Sequence, residues 1–231
     1  MGHREFKDRV YAQFARIGAA LSSDKRLELI DLLAQAPRNV EALAAETEMS
    51  VANTSQHLQA LKAANLVDTE RDGTRVVYRL AGDEVLRLWL ALRGTAETHL
   101  AELSRLVGDH AIAGVPSEQV SRDALAALFR DDQMVLLDVR PAVEYASGHI
   151  PGAMAVPIDE LEARLPELPR DKRIVVYCRG SYCQFADEAV ALLRRRGINA
   201  VRLEGGWQEW AVEHPRRRRA AAKRPGQTAR R

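Results

Sequence analysis

Arg173-Ile174-Val175-Val176-Tyr177-Cys178-Arg179-Gly180-Ser181-Tyr182-Cys183 is the stretch on which the reading of the C-terminal half turns. Its centre, Ile174-Val175-Val176, is apolar and β-branched with no polar alternation, as in a strand buried on both faces of a parallel sheet. Such a strand delivers Cys178 at its C-terminal end, where ligand sites of open α/β sheets lie. Gln184 to Arg196 then reads as a helix with Phe185, Ala189, Leu192 and Leu193 inward. Cys178 to Cys183 is therefore a strand-to-helix loop. A loop of this kind can aim successive backbone N–H groups at one sulfur, and the helix N-terminus behind it adds positive potential. Both effects favour the nucleophilic thiolate. Arg179 would add charge for an anionic substrate, and Gly180 would supply backbone freedom.

The flanking sequence agrees. Met134-Val135-Leu136-Leu137-Asp138-Val139-Arg140 is a second buried-strand pattern that ends in charged residues. Ala200 to Leu203 is a third strand, followed by the turn Glu204-Gly205-Gly206 before Trp207. Short β-branched runs alternate with helical stretches from 117 to 214, which predicts an α/β domain with a parallel sheet. The two cysteines, Cys178 and Cys183, are the only ones in the chain. Both fall in one loop, so scattered structural disulfides are excluded and thiol chemistry is the alternative to two packed small hydrophobes.

The N-terminal half, 1–106, is mostly helical in pattern. Ser22-Ser23-Asp24 offers caps before a helix with Leu27, Ile30, Leu33 and Ala34 on one face, stopped by Pro37. A short helix from Val40 to Thr47 and the turn Glu48-Met49-Ser50 lead to a third helix, capped by Ser50. Its core face is read as Val51, Leu58 and Leu61, with Thr54 at the edge. Two helices joined by a tight turn form a helix-turn-helix pattern. The outer face of the third helix carries Ala52, Asn53, Ser55, Gln56 and Gln59, with His57 beside them. Asn and Gln can pair bidentately with adenine, and Ser and Thr reach phosphates or base edges, whereas the bland alternative is a solvated polar face. Leu66 to Leu80 alternates on both sides of Asp72-Gly73, a hairpin signal, with Arg71 and Arg75 flanking the tip where a wing meets phosphate. Asp83 to Val107 reads as one long amphipathic helix, apolar enough to pair two copies or to pack between domains.

The segments "DKRLELIDLL", "SVANTSQHLQALKAANLV" and "RDGTRVVYRL" resemble the ArsR/SmtB family of small dimeric winged-helix repressors over roughly 15–105. The resemblance implies a duplex DNA operator, a homodimer formed through terminal helices, and base or phosphate contacts from Ser50, Ala52, Asn53, Thr54, Ser55, Gln56, His57, Gln59, Arg71 and Arg75. Many members sense metals through cysteines on the first helix of the motif. Here that helix has none, so no metal site is carried over, and His99 and His110 are read as solvated or packed. The segments "DVRPAVEYASGHIPGA", "VVYCRGSYC" and "LEGGWQEW" resemble the rhodanese domain over 117–214. That resemblance implies a sulfurtransferase cycle in which Cys178 takes sulfane sulfur from thiosulfate or a persulfide. Arg179, Gly180, Ser181, Tyr182 and Cys183 would complete the loop, with Asp138 and Arg140 buttressing it and no cofactor required. Related phosphatases and arsenate reductases have a loop one residue longer, ending in arginine. Gln184 stands at that position here, so the dianion fork is missing. Cys183 departs from the commoner residues at the last loop position and is open to two roles, tuning substrate choice or acting as a resolving thiol.

Composition, 46% hydrophobic and 29% charged, excludes a disordered chain. No apolar run approaches the ~20 residues of a membrane span, and the charged start from Met1 to Val10 lacks a signal-peptide core, so a cytoplasmic protein without membrane partners is expected. The formal charge of +2 conceals eight Lys/Arg and no acid from Pro215 onward, which leaves the preceding residues at −6. A nucleic-acid surface must then be a local patch. The stretch 107–116, with two Gly and a Pro, is read as a linker, and 215–231 as a basic disordered tail. The expected fold is thus a mostly-α winged helix-turn-helix domain followed by an α/β rhodanese domain. Its function is either a regulator that responds to sulfane sulfur or oxidants through Cys178, or a sulfurtransferase tethered by its DNA-binding half.

Overall fold

The computed structural model describes residues 2–109, 119–125 and 134–214. The chain divides into two compact units, Met1–Arg93 and Gly94–Arg231. Most of the expected linker and all of the basic tail lie outside the described residues.

In the N-terminal unit, α1 (His3–Leu21) precedes α2 (Asp24–Gln35), whose cap Ser23 accepts from the Arg26 N–H. Asn39, in the short strand β1 (Arg38–Asn39), caps α3 (Val40–Glu46) by accepting from Ala42 N–H at 2.9 Å. Helix α4 (Val51–Ala63) is capped by Ser50. Both α3 and α4 end in a non-glycine residue of left-handed conformation, Glu48 at φ 53° and Asn65 at φ 57°. At Asn65 the Leu66 N–H reaches Leu61 O and the Asn65 N–H reaches Lys62 O, the paired bonds of a Schellman motif. Leu29, Ile30, Leu43, Leu58 and Leu61 are fully buried in a common core with Tyr78 and Val85.

The hairpin forms as expected, with β2 (Val67–Asp72) antiparallel to β3 (Arg75–Leu80), and β1 pairs on the other side of β3. Asp72 opposes Arg75, so the two-residue loop is Gly73-Thr74 and not Asp72-Gly73. Only Gly73 of this pair has positive φ, 61°, which is the demand of a type II′ turn at its first central position. The expected long helix is two, α5 (Asp83–His99) and α6 (Ala101–Asp109), parted at Leu100. The Thr98 hydroxyl donates to Gly94 O at 2.8 Å, a back-bond that weakens the last turn of α5.

In the C-terminal unit a five-stranded sheet runs in the order β4 (Gln119–Val120), β8 (Ala200–Leu203), β7 (Arg173–Tyr177), β5 (Met134–Asp138), β6 (Met154–Ala155). Every described pairing in it is parallel. Helices α7 (Ala142–Ser147), α8 (Leu161–Arg164), α9 (Phe185–Arg195) and α10 (Trp207–Glu213) connect or flank the strands. Alternation along β7 sends Ile174, Val176 and Cys178 into a core with Leu137, Ala186, Ala189, Val190 and Leu193. It sends Val175 and Tyr177 to the opposite core, with Leu136, Val201, Trp207 and Trp210. Burial on both faces explains the uninterrupted apolar run. The inner face of α9 is Ala186, Ala189, Val190 and Leu193, while Phe185 and Leu192 sit at its margin.

Between the cores' C-terminal edges lies a buried ion pair. Asp138 accepts from Arg140 Nε at 3.0 Å and Nη2 at 2.6 Å, and both side chains are wholly buried. The Tyr177 hydroxyl donates to Asp138 at 2.6 Å and accepts from the Ile150 N–H. Arg140 Nη2 also donates to Gly148 O, and its guanidinium lies over the Trp207 ring at 5.3 Å. Removing one partner of such a pair strands the other charge in a dry interior. Arg140→Ala should therefore destabilise the C-terminal unit by about 3–5 kcal/mol, measured on the full chain by urea denaturation with near-ultraviolet circular dichroism.

Candidate functional site

The strand β7 ends at Tyr177, and Cys178 opens the loop to α9 exactly one residue beyond it, as the sequence implies. The loop is fixed from three directions. Trp207 N–H donates to Cys178 O at 3.1 Å. Arg202, buried on β8, donates through Nη2 to Gly180 O and Ser181 O, both at 2.9 Å, and pairs with Asp187 of α9. Gly206 approaches the loop so closely that a Cβ there would sit 2.4 Å from Cys178 O and 2.7 Å from Gly180 N. Neighbouring Gly205 takes φ 72°, and Glu209 holds the turn by accepting from the Gly206 N–H at 2.8 Å. The left-handed freedom is used at Gly205. Gly180 does not use it.

Arg179 does not extend toward solvent to meet an anion. Its guanidinium pairs with Glu144, which is wholly buried, and lies 5.5 Å from the Phe185 ring. Ser181 and Tyr182 are exposed, and the Tyr182 hydroxyl donates to Glu97 at 2.8 Å. Ser181 and Tyr182 line a cavity of about 470 Å³ together with Arg202, Glu204 and Gly205. Neither cysteine lines it.

Cys178 is 0% exposed, and Cys183 is partly exposed. The Cys178 sulfur lies 3.3 Å from Cys183 O and 3.9 Å from Gly180 O, a setting for a protonated thiol that donates. Burial pushes the Cys178 thiol well above its ordinary range, reinforced by its hydrogen bond to Cys183 and opposed by the charge of Arg202 and the Gly180 N–H. Cys183 moves the other way, to about 7. The hydrogen bond from Cys178 lowers it most, against the cost of burial, with the Arg179 and Phe185 N–H groups and the Arg179 charge assisting. Of the loop N–H groups expected to activate Cys178, that of Gly180 reaches it, whereas those of Arg179 and Phe185 act on its loop partner, because Cys178 turns inward with the alternation of β7.

Asp138 and Arg140 reach the loop through Tyr177 and Trp207. Sequence reasoning missed Arg202, Glu144 and Gly206 as site residues. The signal for Arg202 was present, a charge inside the apolar run Ala200–Leu203.

On the N-terminal unit, α4 leaves Ala52, Asn53, Gln56 and Gln59 exposed, with Ser55 and His57 half-buried. The Ser50 hydroxyl accepts from Asn53 N–H as the helix cap. Val51 and Thr54 exchange the places expected of them: Val51 is 47% exposed, whereas Thr54 is fully buried and donates to Ser50 O at 3.0 Å. A buried hydroxyl occupied by the backbone is not free for DNA. Gln59 Nε2 donates to Tyr78 of β3 at 3.4 Å, which ties helix to hairpin. Arg71 and Arg75 are exposed beside the hairpin tip. Among the described residues no cluster of His, Cys, Asp or Glu could hold a metal ion, and no helix is long and apolar enough to cross a membrane.

A winged helix-turn-helix unit joined to a parallel α/β unit with a strand-end cysteine loop defines a two-part regulator class. The family description "Bacterial regulatory protein, arsR family" matches residues 23–69, and "Rhodanese-like domain" matches 121–213. The HTH-type transcriptional regulator Rv0324 of Mycobacterium tuberculosis is 43% identical over 211 residues, which cover 91% of this chain and 92% of that protein. The chain belongs to this family of arsR-type transcriptional regulators bearing a C-terminal rhodanese domain. A sulfurtransferase of Allochromatium vinosum is 34% identical over 95 residues, 40% of this chain and 87% of its own length. Among solved structures, the homodimeric winged helix-turn-helix fragment of Mb0332 from Mycobacterium bovis is 43% identical, covers 44% of this chain and 94% of the fragment, and superposes with a TM-score of 0.42.

The steric demand at Gly206 is the sharpest local test of this site. Gly206→Ala should displace the Cys178–Gly180 backbone and open Cys178 to iodoacetamide under native conditions. Peptide mass spectrometry should then find Cys178 alkylated in the variant and protected in the parent.

Proposed function

We propose that this transcriptional regulator binds duplex DNA as a homodimer in the cytoplasm and changes its operator affinity when sulfane sulfur, or an oxidant, reacts in the loop begun by Cys178. The observation that carries this reading is the complete enclosure of Cys178, beside a second thiol in the same loop. A rapidly cycling sulfurtransferase needs a nucleophile open to successive donors and acceptors. A sensor needs only to be modified once, and a thiol reached slowly serves it. The likeness to a sulfurtransferase over 95 residues favours the second reading, sulfur transfer with the DNA-binding half as a tether. Catalytic turnover with thiosulfate or an organic persulfide at rates far above stoichiometric modification would select that alternative.

The DNA side rests on α4 and the wing. Ala52, Asn53 and Gln56 project from the N-terminal half of a capped helix, the part that reaches base edges in a major groove, and Arg71 and Arg75 stand where phosphate would lie. Pairing of two copies is supported by apolar side chains left exposed on α1 and α5, namely Phe6, Tyr11 and Phe14 with Leu88 and Leu92.

Replacing Gln56 and Ser55 by Ala should cost about 1–3 kcal/mol of specific binding for each lost bidentate base contact and leave melting unchanged. Fluorescence anisotropy on a selected operator checks this, and parental affinity would overturn the placement of α4. In the same assay an organic persulfide should lower the parent's operator affinity and leave that of Cys178→Ser unaltered. A Cys178→Ser protein that responds as the parent does would remove Cys178 from the mechanism.

A further inference from the structure

Arg202 belongs to none of the motifs from which the sulfur site was read, yet its guanidinium rests against two carbonyl groups of the Cys178 loop. We propose that Arg202 is the positioning residue of this site: by holding the carbonyl oxygens of Gly180 and Ser181 it turns the N–H groups of Ser181 and Tyr182 toward a sulfur bound to Cys178, and so stabilises the persulfide carried there. The inference deepens the sulfur-responsive function proposed above and rests on it.

Placement comes first. Arg202 pairs in register with Val176 of β7, and strand alternation puts it, with Ala200, on the sheet face that also receives Val176 and Cys178. An arginine on a buried sheet face is costly without partners, and this one is 6% exposed. Its partners are specific. Nη1 pairs with Asp187 in the first turn of α9, while Nη2 donates to Gly180 O and Ser181 O, both at 2.9 Å. The guanidinium is a rigid plane, so Asp187, by holding one nitrogen, fixes the direction of the other.

Peptide geometry supplies the next step. In a trans peptide the C=O of one residue and the N–H of the next point in opposite directions, and the described residues contain no cis bond. Two successive carbonyls drawn to one nitrogen therefore put the N–H groups of Ser181 and Tyr182 together on the face of the loop away from Arg202. Successive N–H groups on one face make an anion-binding nest. Burial pushes the Cys178 thiol up most, and the charge of Arg202 and the Gly180 N–H pull against it. A guanidinium so deeply buried is little screened by solvent. The exchange it would favour is Cys178–SH with an organic persulfide R–S–S–H, giving Cys178–S–S–H and R–SH. The Cys178 sulfur bonds to the outer sulfur, the S–S bond of the donor breaks, and the Cys178 proton passes to the leaving R–S⁻.

The experiment reads this exchange at equilibrium, where access to the thiol does not enter. It is made in a Cys183→Ser chain, in which Cys178 is the only cysteine and its persulfide cannot be resolved within the loop. The full chain is equilibrated anaerobically with mixtures of glutathione and glutathione persulfide, denatured in iodoacetamide and digested. Trypsin cleaves after Arg173 and Arg179, so the peptide Ile174–Arg179 reports the Cys178 thiol and persulfide separately by mass. Adding Arg202→Met should move the partition toward glutathione persulfide by at least about tenfold, the worth of one hydrogen bond to a charged group. Arg202→Lys restores the charge without the planar fork and should fall between. The double variant Asp187→Asn with Arg202→Met strands no carboxylate and is carried in parallel with melting curves, so that a folding defect does not decide the result. An arginine that only braces the loop would give faster iodoacetamide labelling of the native Arg202→Met protein at an unchanged partition. That unchanged partition, in the folded single or double variant, overturns the assignment. Operator affinity, measured on the same samples, separates this failure from the other: a chain persulfidated on Cys178 that still binds DNA unchanged defeats the regulatory function and leaves the part of Arg202 standing.

Discussion

The close approach of Gly206 to the backbone of Cys178–Gly180 is the constraint on which the C-terminal site depends. Two backbones can lie this near only where one lacks a Cβ, and a methyl group there would fall 2.4 Å from the Cys178 carbonyl oxygen. Arg202 holds the outer carbonyls of the loop, and Trp207 N–H holds the first one. Trp207 itself fits because Gly148 leaves room for its ring, where a Cβ would lie 2.6 Å away. The Asp138–Arg140 pair binds the Gly148 carbonyl and the strand end at Tyr177 to the same layer. Segments from "DVR", "SGH", "YCRG" and "LEGGW" thus meet in one structure, and each constrains where the next can lie.

A buried charge network of this kind is a poor source of stability and a good source of uniqueness for this site. Desolvating Asp138, Arg140 and Glu144 offsets much of what their pairing contributes. Their directional bonds nevertheless select one arrangement of the loop over slipped alternatives that an apolar core of similar volume would tolerate. Arg179, drawn inward by Glu144, shows the cost to simple expectation: its charge tunes Cys183 through the interior and is not presented to solvent.

The fold was legible where burial writes a period into the sequence. The β-branched runs at Ile174–Val176 and Ala200–Leu203, and the alternation across Gly73, each mark an element that the structure contains. Details that depend on a single backbone angle or one local bond were less legible. The hairpin loop shifts by one residue because Gly73 alone takes the left-handed turn position, and the helix beyond Asp83 divides where Thr98 bonds back to Gly94. Val51 and Thr54 were exchanged because a threonine whose hydroxyl caps its own helix turn buries more easily than hydropathy suggests. At the thiol loop the residue types were apparent, but how the N–H groups divide between the two sulfurs was not. That depends on the direction in which β7 releases Cys178, a geometric fact with no signature in composition.

Helix α4 is fastened at its start by Ser50, at its end by the left-handed Asn65, and along its inner face by Thr54, Leu58 and Leu61. None of these anchors lies on the exposed surface of Ala52, Asn53 and Gln56. The outward residues can therefore be exchanged at little risk to folding. If α4 reads DNA as proposed, a lineage carrying this scaffold can rewrite the address its regulator reads, one side chain at a time, while the other half of the chain stays as it is.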